Sequence, residues 1–163
     1  MDTTHRIYQI HYCSLFQLFQ DYPDELERIK RNYLQLLSNL SITTEIETNH
    51  FEKNIRRIHE MGMIIVGIMG DIKTEQFSII ASGTIIIEPK IIRQGKNVGH
   101  IEDIVVSKEM RNKGISQEIL TILKSFASKQ NCYKIILDCD EAVKKVYMKN
   151  GFVVKGIQMA EYM

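Results

Sequence analysis

The chain has 163 residues, 44% of them hydrophobic and 25% charged, which is the size and composition of one globular domain over residues 1–163. Its 21 basic and 20 acidic side chains nearly cancel, so bulk charge does not favour a nucleic-acid partner, and no apolar run approaches the ~20 residues of a membrane span. The three cysteines lack paired spacing and no apolar signal core opens the chain, so we expect a reduced, cytoplasmic protein that binds neither nucleic acid nor membranes.

The first part of the chain predicts one weak strand and two helices. Residues 6–13 alternate only weakly between polar and apolar side chains, as a first strand would. Residues 24–40 repeat apolar side chains at helical spacing, and Pro23 stands near the helix start, where its missing N–H costs nothing. Residues 49–60 predict a second helix, with Thr48 or Asn49 as its N-cap.

After Gly62 the period changes to that of strands. Residues 63–69, 77–88 and 98–106 predict three strands, and Pro89 ends the second of them. If the third strand is regular, one face carries five alternating residues: Val98, His100, Glu102, Ile104 and Val106. A lone strand histidine is usually packed and hydrogen-bonded, and we expect this of His100.

The last part predicts a long helix, a strand, a short helix and a final strand. Residues 115–129 form a strongly amphipathic helix, and residues 133–138 a strand. Residues 140–150 form a short helix ended by Gly151, and residues 152–159 can form the last strand. The order of elements indicates a single mixed α/β domain.

The segment from Val105 to Ser116 is the most informative pattern. A strand ends, a short loop carries Arg111, Lys113 and Gly114, and a helix begins. Unpaired N–H groups at a helix start bind anions, and a glycine lets the backbone approach a diphosphate closely. Taken alone, the pattern also fits a solvated loop before a surface helix. Neither the three-glycine dinucleotide fingerprint nor a P-loop is present.

This segment resembles the acetyl-CoA pyrophosphate loop of GNAT acetyltransferases. Residues 111–116 read Arg-Asn-Lys-Gly-Ile-Ser, and Ser116 stands where the family usually has Gly or Ala. Residues 99–104 and 132–141 resemble glucosamine-6-phosphate N-acetyltransferases nearly residue for residue, as do residues 84–88 with 90–92, and Tyr147 four residues before Gly151. The similarity covers about residues 81–159, and the first ~60 residues match loosely.

The resemblance implies one GNAT acyl-CoA N-acyltransferase domain, with a central, mostly antiparallel, twisted sheet flanked by helices. It implies direct attack of an amine on the thioester of acetyl-CoA, without an acyl-enzyme. The spacing of Cys132 and Cys139 is poor for zinc, so we expect no metal. The positions implied to bind acetyl-CoA are Ile104, Val105, Val106, Arg111, Asn112, Lys113, Gly114, Ile115, Ser116 and Tyr147.

The resemblance also assigns catalytic positions: Glu102, Asp103, Asp138 and Tyr147. Backbone N–H groups around Asp103 and Ile104 would polarise the thioester carbonyl, and Tyr147 would give its proton to the CoA sulfur. Glu102 would bind substrate, and Asp138 would position the amine through its carboxylate or its main-chain carbonyl. No unique base is assigned. Without the resemblance, Tyr147 fits a core residue of a short helix, and the carboxylates fit solvated side chains.

The implied substrate is an amino-sugar phosphate, glucosamine 6-phosphate, whose N-acetylated product feeds UDP-N-acetylglucosamine biosynthesis. The implied substrate-binding residues are Ser38, Lys90, Glu102, Asp103, Tyr133, Lys134 and Asp138. The family also uses an arginine near the C-terminus, contributed across a homodimer, where this chain has Tyr162. Either Arg93 or Lys155 compensates, or the phosphate is bound more weakly, or the substrate is another amine.

Two other functions remain open from the sequence. One is a GNAT enzyme for a different amine, such as a polyamine, an aminoglycoside or a protein N-terminus. The other is a non-catalytic module that binds acyl-CoA, against which the presence of Glu102, Asp138 and Tyr147 argues.

Overall fold

The structure is a computed structural model that describes residues 9–163. Within that range, five strands form one sheet in the order β1-β2-β3-β4-β5. They are β1 (His11–Ser14), β2 (Gly62–Met69), β3 (Ser78–Pro89), β4 (Asn97–Val106) and β5 (Cys132–Leu137). The first four strands pair antiparallel, and β5 runs parallel to β4. The prediction of a mixed α/β fold with a mostly antiparallel sheet is confirmed.

The helices of the described residues flank this sheet. They are α1 (Leu15–Asp21), α2 (Leu26–Leu37), α3 (Thr48–Met61), the four-residue α4 (Ile92–Gly95), α5 (Ile115–Lys129) and α6 (Lys144–Lys149). The spacing of apolar residues predicts no helix at α1, because seven residues offer too few turns for a clear period. Ser14 caps α1, its side-chain oxygen accepting from the Gln17 amide at 3.3 Å.

Two apolar clusters cover the two faces of the sheet. On one face α1, α2 and α3 pack around the fully buried Leu15, Ile29 and Val66. On the other face α5 packs through residues that include Ile119 and Leu123. Each such side chain contributes about 1.5–3 kcal/mol through burial. This packing holds the N-terminus of α5 against the end of β4.

β4 contains a bulge that the sequence does not predict. Asp103 and Ile104 together lie opposite Gly83 alone, and Asp103 has a left-handed φ of 53°. The extra residue reverses the alternation of side chains beyond it. Ile104 and Val106 therefore pack with the α5 cluster, and the prediction that they share a face with Glu102 is wrong.

The predicted last strand over residues 152–159 is also wrong. Residues 153–163 have no helix or strand, and several of their apolar side chains are exposed: Val153, Val154, Ile157, Met159 and Tyr162. A strand forms only when it pairs with another strand, and this segment pairs with none, although the edge of β5 is free among the described residues. The predicted first strand overlaps β1, but residues 6–8 lie outside the described residues.

The short helix near the C-terminus begins later than predicted. Residues 141–143 form a turn, and α6 covers only the second half of the predicted range. None of the helices within residues 9–163 has the length and apolar character that crossing a membrane requires.

Candidate active site

A cavity of about 850 Å³ opens where β4 and β5 part. The paired residues of the two strands end at Ile101 and Leu137, whereas β4 continues to Val106. The cavity is bounded by the bulge of β4, the N-terminus of α5, the end of β5, α6 and the turn after α2. Its volume lies in the range of small-molecule and cofactor sites.

The N-terminus of α5 forms one end of the cavity. The amides of Ile115 and Ser116 have no carbonyl within the helix to bond, and no described side chain caps this end. Gly114 precedes them with a φ of 79°, and a Cβ there would have no atom within 4 Å. Arg111 donates from Nε to the Val106 carbonyl at 3.2 Å, which keeps its side chain on the cavity wall. This arrangement favours an anionic group.

Three carboxyl groups line another part of the cavity: Glu102, Asp103 and Asp138. Burial raises the pKa of Glu102, the charges of Asp103 and Asp138 raise it further, and His100 opposes them. Burial also raises the pKa of Asp103. Gln158 donates to Oδ2 of Asp138 at 2.9 Å. A bound cation relieves the repulsion among like charges, so this cluster favours an ammonium group.

The side chain of a buried tyrosine supports the β4 bulge from the α2 side of the sheet. Tyr33 of α2 is only 5% exposed, and its hydroxyl accepts from Ser82 Oγ at 3.3 Å. Burial raises the pKa of Tyr33 to about 12; the charge of Asp103 raises it as well, while hydrogen bonds with Ser82 and Thr84 oppose the rise. Tyr33 therefore stays protonated beneath the carboxyl cluster and fixes α2 against β3 and β4.

Tyr147 lies on the cavity wall at the end of α6. Its carbonyl accepts from the amides of Asn150 at 2.9 Å and Phe152 at 3.1 Å, and Gly151 takes a φ of 84° between them. This is the Schellman motif, in which the residues at its two ends touch. The rings of Tyr147 and Phe152 meet edge to face at 6.1 Å between centroids. Burial, followed by the charge of Cys139, raises the pKa of Tyr147, so its hydroxyl keeps its proton at neutral pH.

The sequence model of the Acetyltransferase (GNAT) family matches residues 5–152 of this chain. The chain belongs to the GNAT acetyltransferase family. Members of this family use acetyl-CoA as co-substrate. The open helix N-terminus beside Gly114 and the cavity that continues from it to Tyr147 fit such a ligand.

This GNAT acetyltransferase is similar to proteins that are named as glucosamine 6-phosphate N-acetyltransferases. It is 38% identical over 140 residues to glucosamine 6-phosphate N-acetyltransferase 1 of Dictyostelium discoideum, covering 86% of each chain. It is 33% identical over 134 residues to the probable glucosamine 6-phosphate N-acetyltransferase 2 of Oryza sativa subsp. japonica, covering 82% of this chain and 81% of the relative.

A solved structure has the same fold. The crystal structure of glucosamine-6-phosphate N-acetyltransferase from Arabidopsis thaliana superposes with a TM-score of 0.79 at 28% identity, covering 94% of this chain and 98% of the other.

Nine of the ten positions predicted to bind acetyl-CoA in this GNAT acetyltransferase line the one cavity: Ile104, Val105, Val106, Arg111, Asn112, Gly114, Ile115, Ser116 and Tyr147. Lys113 does not line it, and its ammonium donates to the Glu109 carbonyl at 2.9 Å. All four residues predicted to act in catalysis lie on the same cavity.

The predicted substrate-binding residues divide into two groups. The carboxylates line the cavity, whereas Lys90, Tyr133 and Lys134 lie outside it. Lys134 and Arg93 approach the ring of Tyr133, at 5.7 Å and 5.8 Å from its centroid. Lys90 forms an ion pair with Glu88. Arg93 and Lys134 with the Tyr133 ring form a cationic cluster near the loop between β3 and β4.

Ser38 does not line the cavity either. Its hydroxyl donates to the Gln35 carbonyl at 2.7 Å, and it faces a separate groove along α2. The next three residues line the cavity instead: Asn39, Leu40 and Ser41. Sequence reasoning missed this turn because nothing local marks which of its residues face β4.

Further residues of the cavity wall carry no sequence signal of their own. Val143, Val146 and Gln158 reach it only through the path of the chain after β5, whereas Cys139 and Asp140 belong to the motif at residues 132–141. His100 is hydrogen-bonded as expected, with Nε2 2.7 Å from Oε2 of Glu88. Within residues 9–163, no group of three or more His, Cys, Asp or Glu side chains could hold a metal ion.

Proposed function

We propose that this GNAT acetyltransferase transfers the acetyl group of acetyl-CoA to the amine of glucosamine 6-phosphate, giving N-acetylglucosamine 6-phosphate and CoA. The proposal rests on one observation: Lys134 near the start of β5 and the carboxylates Glu102 and Asp138 at its end lie on the same side of β4 and β5. The relatives named for this reaction over most of their length support it.

The alternation of side chains along β5 determines which residues share this face of the sheet. Lys134 and Ile136 point to one side of β5, and Asp138 continues the same alternation just beyond the strand. The pairing of His100 with Ile136 places Glu102 beside Asp138 one step further on. Lys134 and Asp138 are four residues apart, or about 13 Å along an extended chain, and the lysine stem shortens that gap. An amine joined to a phosphate through a hexose ring suits this separation.

The chain's own groups supply the acid–base chemistry. Acetyl-CoA provides the acetyl group as a thioester. Glu102 and Asp138 hold the substrate as an ammonium ion, and the carboxyl cluster receives the proton that the nitrogen must lose before it forms a bond to the acetyl carbon. Amides near the bulge at Asp103 and Ile104 stabilise the developing charge on the carbonyl oxygen.

Tyr147 protonates the sulfur as its bond to carbon breaks. Its raised pKa keeps the donor protonated, and Tyr147 lines the same cavity as the α5 N-terminus and the carboxylates. Starting from the ammonium ion, the nitrogen loses two protons: the carboxyl cluster accepts the first and releases it to solvent, and the second, lost as the amide forms, replaces through solvent the proton that Tyr147 gave to sulfur. The products are the amide, the CoA thiol and one released proton, and the enzyme returns to its starting state.

The cationic cluster at Tyr133 would bind the phosphate. Arg93 is a better replacement for the family's C-terminal arginine than Lys155, because Arg93 already lies over the Tyr133 ring beside Lys134. Arginine and lysine donors recognise phosphate through charge-assisted hydrogen bonds.

We further propose that the protein is a cytoplasmic homodimer. The free edge of β5 and the exposed apolar residues of the C-terminal segment suit pairing with a second copy. The three cysteines carry free thiols, as in a reducing compartment.

The decisive experiment measures release of CoA thiol with glucosamine 6-phosphate, unphosphorylated glucosamine and spermidine. We expect the highest kcat/KM with glucosamine 6-phosphate. Arg93→Ala and Lys134→Ala should each raise KM for glucosamine 6-phosphate about tenfold, the loss of one charge-assisted hydrogen bond, and leave the kinetics of unphosphorylated glucosamine unchanged.

Lys96→Ala is the matched control, because Lys96 is an exposed lysine in the same loop. Turnover of spermidine without turnover of glucosamine 6-phosphate would identify a GNAT enzyme for another amine. Binding of acetyl-CoA without turnover of any amine would identify a binding module.

A further inference from the structure

We propose that Lys124 is a positioning residue that holds Tyr147 in place by tying the end of α6 to α5. This inference rests on the proposed role of Tyr147 as the proton donor to sulfur. Lys124 does not line the cavity that contains Tyr147; it lines a separate groove with residues that include Tyr133, Lys134 and Phe152. An effect through the proposed phosphate-binding residues would therefore change the KM of the amine, whereas an effect through Tyr147 would change kcat.

Lys124 makes two contacts with the segment that ends α6. Its ammonium donates to the carbonyl of Asn150, and it lies 4.7 Å from the ring centroid of Phe152. Asn150 is the C-cap of the helix, where carbonyls lack partners and the helix dipole favours a cation. A cation over an aromatic face adds further attraction.

These contacts reach Tyr147 through the Schellman motif. Phe152 donates its amide to the Tyr147 carbonyl and packs its ring against the Tyr147 ring. A change in the position of Phe152 or Asn150 therefore moves Tyr147 directly. Lys124 contacts both of these residues at once.

α6 has little else to hold it. It has six residues, none of them buried, and a helix of this length is not stable by itself in water. Tyr147 and Phe152 are partly buried against the α5 cluster, and Lys124 is the described side chain that binds the helix end from α5. The helix that presents its N-terminus to the cofactor thus also positions the proton donor.

Lys124→Met tests this arrangement because it keeps the aliphatic stem and removes the ammonium group. We expect kcat to fall about tenfold, part of the 10²–10⁴-fold that a positioned general acid supplies, with the Kd of acetyl-CoA and the KM of the amine unchanged. Lys124→Arg should restore most of kcat, because arginine also donates to a carbonyl and stacks on an aromatic ring. Lys129→Met, in the last turn of the same helix, should match the wild type.

A double-mutant cycle with Tyr147→Phe separates positioning from general damage. If Lys124 acts through Tyr147, Lys124→Met should lower kcat no further in the Tyr147→Phe background. An equal loss in both backgrounds, or a wild-type kcat for Lys124→Met, would overturn the inference while leaving the proposed function intact. A wild-type kcat for Tyr147→Phe would instead remove Tyr147 from the mechanism, and the inference with it.

Far-UV circular dichroism establishes that each variant is folded. Should Lys124→Met not fold, Lys124→Arg carries the same test. A folded Lys124→Arg enzyme with kcat well below that of the wild type would then contradict the inference.

Discussion

Single residues in the cavity have ionisation states that depend on one another. Glu102 is the clearest case, because burial and then two neighbouring carboxylates disfavour its charged form. Sequence motifs identified Glu102, Asp103 and Asp138, but only their convergence in the fold shows that the charges of Asp103 and Asp138 raise the pKa of Glu102.

The coupling predicts a shift in the pH dependence of kcat/KM. Because the carboxylate form is the one that accepts a proton, activity should rise as pH rises through the raised pKa of Glu102. Asp138→Asn removes a neighbouring negative charge, which lowers the pKa of Glu102, so the acidic limb should move to lower pH even though kcat falls.

The measurement is a kcat/KM profile of both enzymes with the same amine, so the titration of the substrate cancels. Glu60→Gln is the control: it removes a charge at the exposed end of α3 and should leave the acidic limb of the kcat/KM profile at the wild-type pH. A limb that stays or moves to higher pH in Asp138→Asn would show that Glu102 and Asp138 are not coupled.

Among the elements, α5 supplies the unpaired N-terminal amides at one end of the cavity. Its buried face was predictable from apolar spacing, and that face fixes where its N-terminal amides point. The glycine before it combines a positive φ with open space on the cavity side.

Gly114→Ala should weaken acetyl-CoA binding by more than its effect on folding explains. The left-handed φ costs an alanine about 1 kcal/mol of unfolding free energy. The added Cβ meets no protein atom but enters the space that the diphosphate would occupy, so we expect Kd to rise about tenfold or more in a calorimetric titration.

Gly156→Ala is the matched control for this prediction. Gly156 has a φ of 78°, a Cβ there would also have no atom within 4 Å, and the residue does not line the cavity. Gly156→Ala should show only the loss of unfolding free energy caused by the left-handed φ, with the Kd of acetyl-CoA unchanged. Equal acetyl-CoA affinity in the two variants would contradict the assignment of the loop.

At the scale of the whole molecule, one chain leaves apolar side chains uncovered. The C-terminal segment after Phe152 exposes residues that its sequence pattern would place in a strand, and β5 remains an open sheet edge. A second copy that covered both surfaces would bury the exposed apolar side chains and supply hydrogen-bond partners for the unpaired backbone groups of β5.

The proposed homodimer predicts a mass twice that of one chain in size-exclusion chromatography with light scattering. Ile157→Asp should shift the population toward the monomer, because Ile157 is 93% exposed in one chain and a charge there opposes apolar contact. Ile42→Asp is the control, since Ile42 is 94% exposed but lies in the loop after α2. A monomer at all concentrations would contradict the proposal.

Local patterns determined most of the helices and strands. α2, α3, α5 and the strands β2 to β4 follow from the spacing of apolar residues, because each pattern needs only one buried face. The loop at residues 111–116 and the motifs around Glu102, Asp138 and Tyr147 likewise indicated the family and twelve of the cavity-lining positions from the sequence alone.

Tertiary structure decided the rest, because it depends on residues far apart in the chain. The bulge at Asp103 needs Gly83 on the neighbouring strand, where a Cβ would lie 2.5 Å from Ile104 Cδ1. The hydrogen bond from Lys124 to the Asn150 carbonyl at the end of α6 joins residues 26 positions apart, and no periodic sequence pattern predicts it. The last segment did not become a strand because a strand requires pairing, and within the described residues this segment does not pair with the open edge of β5.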